Sequence, residues 1–136
     1  MRPKSSVVLL AIVLAVSAVM AQTTGKLAEL ARSQDETVTL GYMRTVVYAQ
    51  KDYKKKHGVY ATSLADLVHS GSFTKRMTMT DRGAYTVHFR GKPTDYTLEL
   101  TPKQFDPEHR AFFVDETGKV RVEEDKPATA ESPVLK

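Results

Sequence analysis

Residues 26–67 read KLAELARSQDETVTLGYMRTVVYAQKDYKKKHGVYATSLADL and hold the strongest periodic signal in the chain. Leu27, Ala31, Val38, Tyr42, Val46, Ala49 and Tyr53 recur at steps of three, four or seven, which aligns them as one stripe on a 3.6-residue helix. Such a stripe must face a core. Leu40, Met43 and Val47 form a second apolar set, expected on roughly the opposite side, so the middle of this helix is apolar over more of its girth than a surface helix needs. Either loops of the same chain cover that side or another subunit does, which makes Leu40, Met43 and Val47 a candidate partner face for another protein or for self-association through the long helix.

The charges agree with a helix. Glu29, Asp35 and Glu36 lie near its start and Lys51, Lys54, Lys55, Lys56 and His57 crowd its end, each complementing the nearer pole of the macrodipole. Gly58 supplies a left-handed cap. Two starts compete: Thr23 or Thr24 as the cap, or a capping box formed by Ser33 with Glu36. Beyond Gly58, Ser63 and Asp66 repeat the box ahead of Leu64, Leu67 and Val68, predicting a short helix to about His69 that stops at Gly71. Residues 70–82 fit a strand or an irregular connection equally well.

From Ala84 the period changes to two. Tyr85, Val87 and Phe89 alternate with polar residues, as do Tyr96, Leu98 and Leu100 after a turn at Gly91–Thr94, and Pro102 closes the second strand. Residues 111–114 and 119–122 form another hairpin across Asp115–Gly118. A one-sided sheet and an amphipathic helix each need an apolar partner, so the expected fold is α+β, a long N-terminal helix packed on a three- to four-stranded antiparallel sheet.

The 136 residues suffice for one small domain. Arg2, Lys4 and the apolar run Val7–Val16 read as an export signal over residues 1–21, cleaved before Gln22, which places the domain outside the cytoplasm, in the periplasm or secreted. An uncleaved anchor is the alternative, since Val7–Ala21 falls just short of the roughly 17 residues a tilted span needs. Residues 22–125 then form the globular domain and 126–136 a flexible, solvated tail, in which Val134 and Leu135 could dock.

The chain has no cysteine, which excludes disulfides, thiolate zinc sites and thiol nucleophiles. His57, His69, His88 and His109 share no ligand spacing. Asp115, Glu116, Glu123, Glu124 and Asp125 surround the last hairpin and could supply a calcium site, although a turn and a solvated exit account for them. No nucleophile elbow, phosphate loop, HExxH pair or dinucleotide fingerprint occurs, so neither an enzyme nor a cofactor is expected. Lys51, Lys54, Lys55 and Lys56, interleaved with Tyr48 and Tyr53, form a candidate polyanion patch; a lysine-rich helix end accounts for them equally, and nucleic acid is not the favoured partner.

The run Tyr42, Met43, Arg44, Thr45, Val46, followed by Ala49, Tyr53, Gly58, Tyr60, Ser63, Leu64 and Leu67, resembles the helix end and loop entry of type IV pilins and the major pseudopilins of type II secretion. The segment FFVDETGKVR, with Ala128 and Pro133 beyond it, is similar to the last hairpin and tail of a subgroup of these proteins. The resemblance covers roughly residues 40–135. It does not extend to the prepilin processing glycine or the glutamate within the apolar segment, where an ordinary export signal stands. It implies a pilin-like globular domain acting as a non-enzymatic structural or interaction subunit. The alternative is a monomeric extracytoplasmic binding module for a polyanion or small ligand.

Overall fold

A computed structural model describes residues 26–136; the expected signal, its cleavage site and the membrane-anchor alternative lie outside them. Residues 26–28 are helical, the helix breaks at 29–33, and a 24-residue helix, α1, runs Gln34–His57. The alternative start at Thr23 or Thr24 lies outside the described residues, and the one expected at Ser33 is formed. Its extended backbone leaves the side-chain Oγ to accept from the Glu36 N–H at 3.1 Å, so the single helix expected from Lys26 is interrupted. At the other end Gly58 sits at φ 78° and donates its N–H to the Lys54 carbonyl at 2.7 Å.

After α1 come one-turn 3-10 helices at Ala65–Leu67 and Lys75–Thr78, and then five strands: β1 Asp81–Arg82, β2 Tyr85–Gly91, β3 Tyr96–Pro102, β4 Ala111–Asp115 and β5 Arg121–Glu123. They form one antiparallel meander in chain order. The α+β architecture is as expected. The sheet has five strands rather than three or four because Asp81–Arg82, inside the ambiguous stretch, pairs with Tyr85–Thr86.

The helix buries a single broad arc. Counting about 100° per residue, Tyr42, Val46 and Ala49 lie on one flank of that arc and Leu40, Met43 and Val47 on the other. Its middle holds Thr39 and Gln50, while Glu36 falls between Met43 and Val47 on the second flank, and all three are buried. Polar residues at the centre make one face read as two. Leu40 and Met43, 1% and 0% exposed, join the core with Leu67, Phe73, Val87, Leu98, Leu100 and Phe112, and Val47 packs against its edge. The chain's own sheet and loops therefore cover the candidate partner face, each such side chain contributing roughly 1.5–3 kcal/mol by burial. Val38, assigned to the inward stripe, is 57% exposed.

Gln50 holds the loop after α1 from within, donating to the Ala61 carbonyl at 3.0 Å and accepting from the Ala61 N–H at 2.8 Å. The same loop presses on Gly91, where a Cβ would lie 2.4 Å from the Ala61 carbonyl oxygen.

The tail is docked rather than solvated. Ala128 packs with Ala111 and Phe113 on the outer face of β4, and Leu135 reaches the main core. Val122 donates its N–H to Pro133, Leu135 donates to Val120, and Arg121 donates to the Ser132 carbonyl. The tail thus covers the β5 edge of the sheet, which would otherwise expose unpaired backbone groups.

Candidate functional site

Where the start of α1 meets the β3–β4 connection, the chain gathers a cluster of paired charges. Glu36, 0% exposed, accepts four hydrogen bonds on its carboxylate: from the Arg32 N–H, the Arg110 N–H, and Arg110 Nε and Nη2, at 2.8–3.1 Å. Burial pushes the Glu36 carboxyl up, but the Arg110 guanidinium and the two backbone N–H groups outweigh it and hold the group below the ordinary range. Arg110 also donates to the Leu30 carbonyl at 2.9 Å, and its own carbonyl accepts from the Tyr85 hydroxyl at 2.7 Å. One ion pair therefore ties the segment before α1, the helix and the sheet together.

His109 stands beside it with both ring nitrogens on carboxylates, Nε2 2.7 Å from Asp35 and Nδ1 2.8 Å from Asp106. Only the imidazolium can donate to both, and these bonds raise the His109 pKa and lower that of Asp106. Arg32 pairs with Glu124 and donates to the Pro107 carbonyl; Ser33 donates to the Glu108 carbonyl. No buried side-chain polar atom among the described residues lacks a partner. Every member of the cluster is thus engaged in holding elements together, and its chemistry is that of a clasp.

Sequence reasoning read Glu36 as a capping-box member and as an acid at the helix start. Its side chain instead passes the cap and reaches Arg32 and Arg110. The available signal was a glutamate at an angular position between Met43 and Val47 on the apolar arc, together with an arginine directly before the run AFFV.

The candidate polyanion lysines do not form one patch, because six successive positions spread around a 3.6-residue turn. Lys51 lies over Tyr48, Lys54 over Tyr60 at 4.4 Å from its ring centroid, and Lys56 pairs with Asp52; Lys55 is exposed. The carboxylates of the last hairpin disperse too: Asp115 caps its own turn, Glu123 accepts from Ser132 and Glu124 from Arg32. Of the other histidines, His57 lies against Tyr53 and His88 is exposed. Among the described residues no group of three or more such side chains is arranged to hold a metal ion, and no helix is long and apolar enough to cross a membrane.

Surface grooves also border α1. The first, of about 350 Å³, lies between the start of α1 and residues 76–85. Val38 and Met79, 57% and 59% exposed, flank it; Asp35 and Asp81 and Arg76 and Arg82 supply both charges, and Arg82 stacks on Tyr42 at 4.1 Å. The second, also about 350 Å³, lies between residues 26–27, α1 and the β4–β5 turn, with Lys26, Arg44, Tyr48 and Lys51 at its margin. The chain matches no protein-family model, no curated protein sequence and no solved structure.

Proposed function

We propose that the chain is an exported, non-enzymatic structural subunit of the pilin-like kind, associated with a type IV pilus or type II secretion system, and that it works by contact with a second copy of itself. The observation that carries this reading is the pair Val38 and Met79. Two large apolar side chains, each more than half exposed, flank one groove that holds two carboxylates and two guanidiniums. A two-fold contact brings a surface against its own copy, and a patch that is apolar and carries both signs of charge, as this one does, is self-complementary. The helix-on-sheet architecture and the resemblance of residues 40–135 support the subunit role. The fully engaged clasp favours a role in contact over one in catalysis.

Sedimentation velocity over a concentration series tests this. The wild-type chain is expected to shift toward a dimer, and Val38→Lys with Met79→Lys to stay monomeric with an unchanged circular dichroism spectrum. A wild type that remains monomeric throughout, or a double variant that associates as well as wild type, contradicts the proposal.

A further inference from the structure

The two edges of the sheet differ. The tail covers β5, whereas β1, with Thr80 before it, pairs with β2 only as far as Val87, whose N–H donates to the Thr80 carbonyl at 2.8 Å. The register fixes where the rest of β2 points. Lys92 and Asp95 exchange both hydrogen bonds and Lys103 donates to the Ala84 carbonyl, so the even-numbered residues of β2 turn their backbone groups toward β3 and the odd-numbered ones turn theirs away. The N–H and C=O of Phe89 and the N–H of Gly91 therefore face the free edge, and among the described residues they have no hydrogen-bond partner. Buried backbone groups rarely go unpaired, which places these in water, and Phe89 and Gly91 are both partly exposed. The Ala61–Thr62 loop meets Gly91 from the side where a Cβ would stand, beneath the sheet rather than at its edge.

The side chains along this edge carry one sign of charge. His88 and Arg90 stand exposed on the outer face, Lys92 follows them, and none of the three is ion-paired among the described residues. Across the ladder Glu99 lies opposite His88, but only Thr97 lies opposite Arg90. Phe89 faces inward, partly buried against the core. Antiparallel pairing with a second copy would bring Arg90 opposite the His88 or the Arg90 of that copy, neither of which supplies a negative charge; opposite charges across a ladder stabilise it and like charges do not. We infer that the β2 edge at Phe89–Gly91 binds an extended acidic peptide as an added antiparallel strand, its carboxylates beside His88 and Arg90 and an apolar side chain beside Phe89. Main-chain hydrogen bonds supply affinity in this mode, and the alternation of faces supplies specificity. The inference does not depend on the contact at Val38 and Met79, whose groove is lined by residues 76–85 at the other end of β2.

The probe is an end-blocked peptide, Ser-Glu-Val-Glu-Val-Glu-Ser, titrated into the ¹⁵N-labelled chain. The amide signals of Phe89 and Gly91 are expected to shift and their hydrogen exchange to slow. The valine amides would face β2 and the glutamate amides would face away. N-methylation of both valines should therefore weaken binding about tenfold or more, equivalent to about 1.4 kcal/mol, while N-methylation of the central glutamate leaves it unchanged. Arg90→Glu should also weaken binding; Arg90 is exposed, and circular dichroism verifies that the variant is folded. No change at the Phe89 and Gly91 amides, equal weakening by the two methylations, or equal affinity for a peptide with lysine at each glutamate position would overturn the inference. So would slowed exchange at Phe89 that appears with chain concentration alone, which would give the edge to a second copy.

Discussion

Replacing Arg110 by methionine removes the guanidinium from Glu36 while keeping an apolar stem of comparable length. In the folded chain the Glu36 carboxylate is out of water and receives four hydrogen bonds, two of them from the Arg110 side chain. The variant leaves only the N–H groups of Arg32 and Arg110 on a buried charge, and it also strips the Leu30 carbonyl of its donor. Breaking one side of a buried pair costs about 3–5 kcal/mol, and the two remaining N–H donors place Arg110→Met toward the lower end of that range. A small domain has about 5–15 kcal/mol in total, so the loss is large but survivable. With a urea slope of about 1.5 kcal/mol/M, the unfolding midpoint should fall by about 2 M or slightly more. Adding Glu36→Leu should restore most of the loss, because an apolar pair needs no charge compensation. The assay is urea unfolding followed by circular dichroism on wild type, both single variants and the double. A loss below about 1 kcal/mol for Arg110→Met would refute the reasoning, since it would mean that the Glu36 charge finds water.

Stability should also peak with pH. Glu36 is held below its ordinary value of 4.5, so its contribution is present above that value and is lost as pH falls through the folded pKa. His109 is raised above 6.5, so its contribution is present below that value and is lost as pH rises through the folded pKa. Melting temperature should therefore be highest between about 4.5 and 6.5, and His109→Gln should flatten the alkaline limb; an unchanged alkaline limb in that variant would rule out His109 as its source. Gln50→Leu keeps the volume but leaves the Ala61 N–H and carbonyl buried without partners, an expected loss of about 2–4 kcal/mol in urea unfolding. Gly91→Ala drives a methyl into the Ala61 carbonyl and should cost about 1–3 kcal/mol by the same measurement, since backbone must move to admit it.

What the sequence disclosed was local and periodic. The end of α1 at Gly58, the strands Tyr85–Gly91 and Tyr96–Pro102 and the final hairpin follow from rules acting within a few residues, and the structure forms all of them. What it concealed was long-range. Leu40 and Met43 looked like a second face because Glu36, Thr39 and Gln50 interrupt the arc, and Glu36 and Gln50 are explained only by Arg110 and Ala61, distant in sequence. The tail read as solvated because its composition is charged and proline-rich, yet Ala128, Ser132 and Leu135 each find a place along β4 and β5. Of the candidate site residues, Lys51 stays at a groove, but with Lys26, Arg44 and Tyr48 rather than with its lysine neighbours. A helical repeat tells which residues share a face of the helix; it does not tell which other segment lies against that face.

The central claim, that the chain functions through self-contact at Val38 and Met79, is tested most directly by cross-linking. The chain contains no cysteine, so single thiols can be placed at will. Chains carrying Val38→Cys mixed with chains carrying Met79→Cys should form disulfide-linked dimers under mild oxidation far faster than chains carrying Val59→Cys, whose native side chain is also exposed, at 41%. Equal rates for the two preparations, or no dimer from the first, would contradict it.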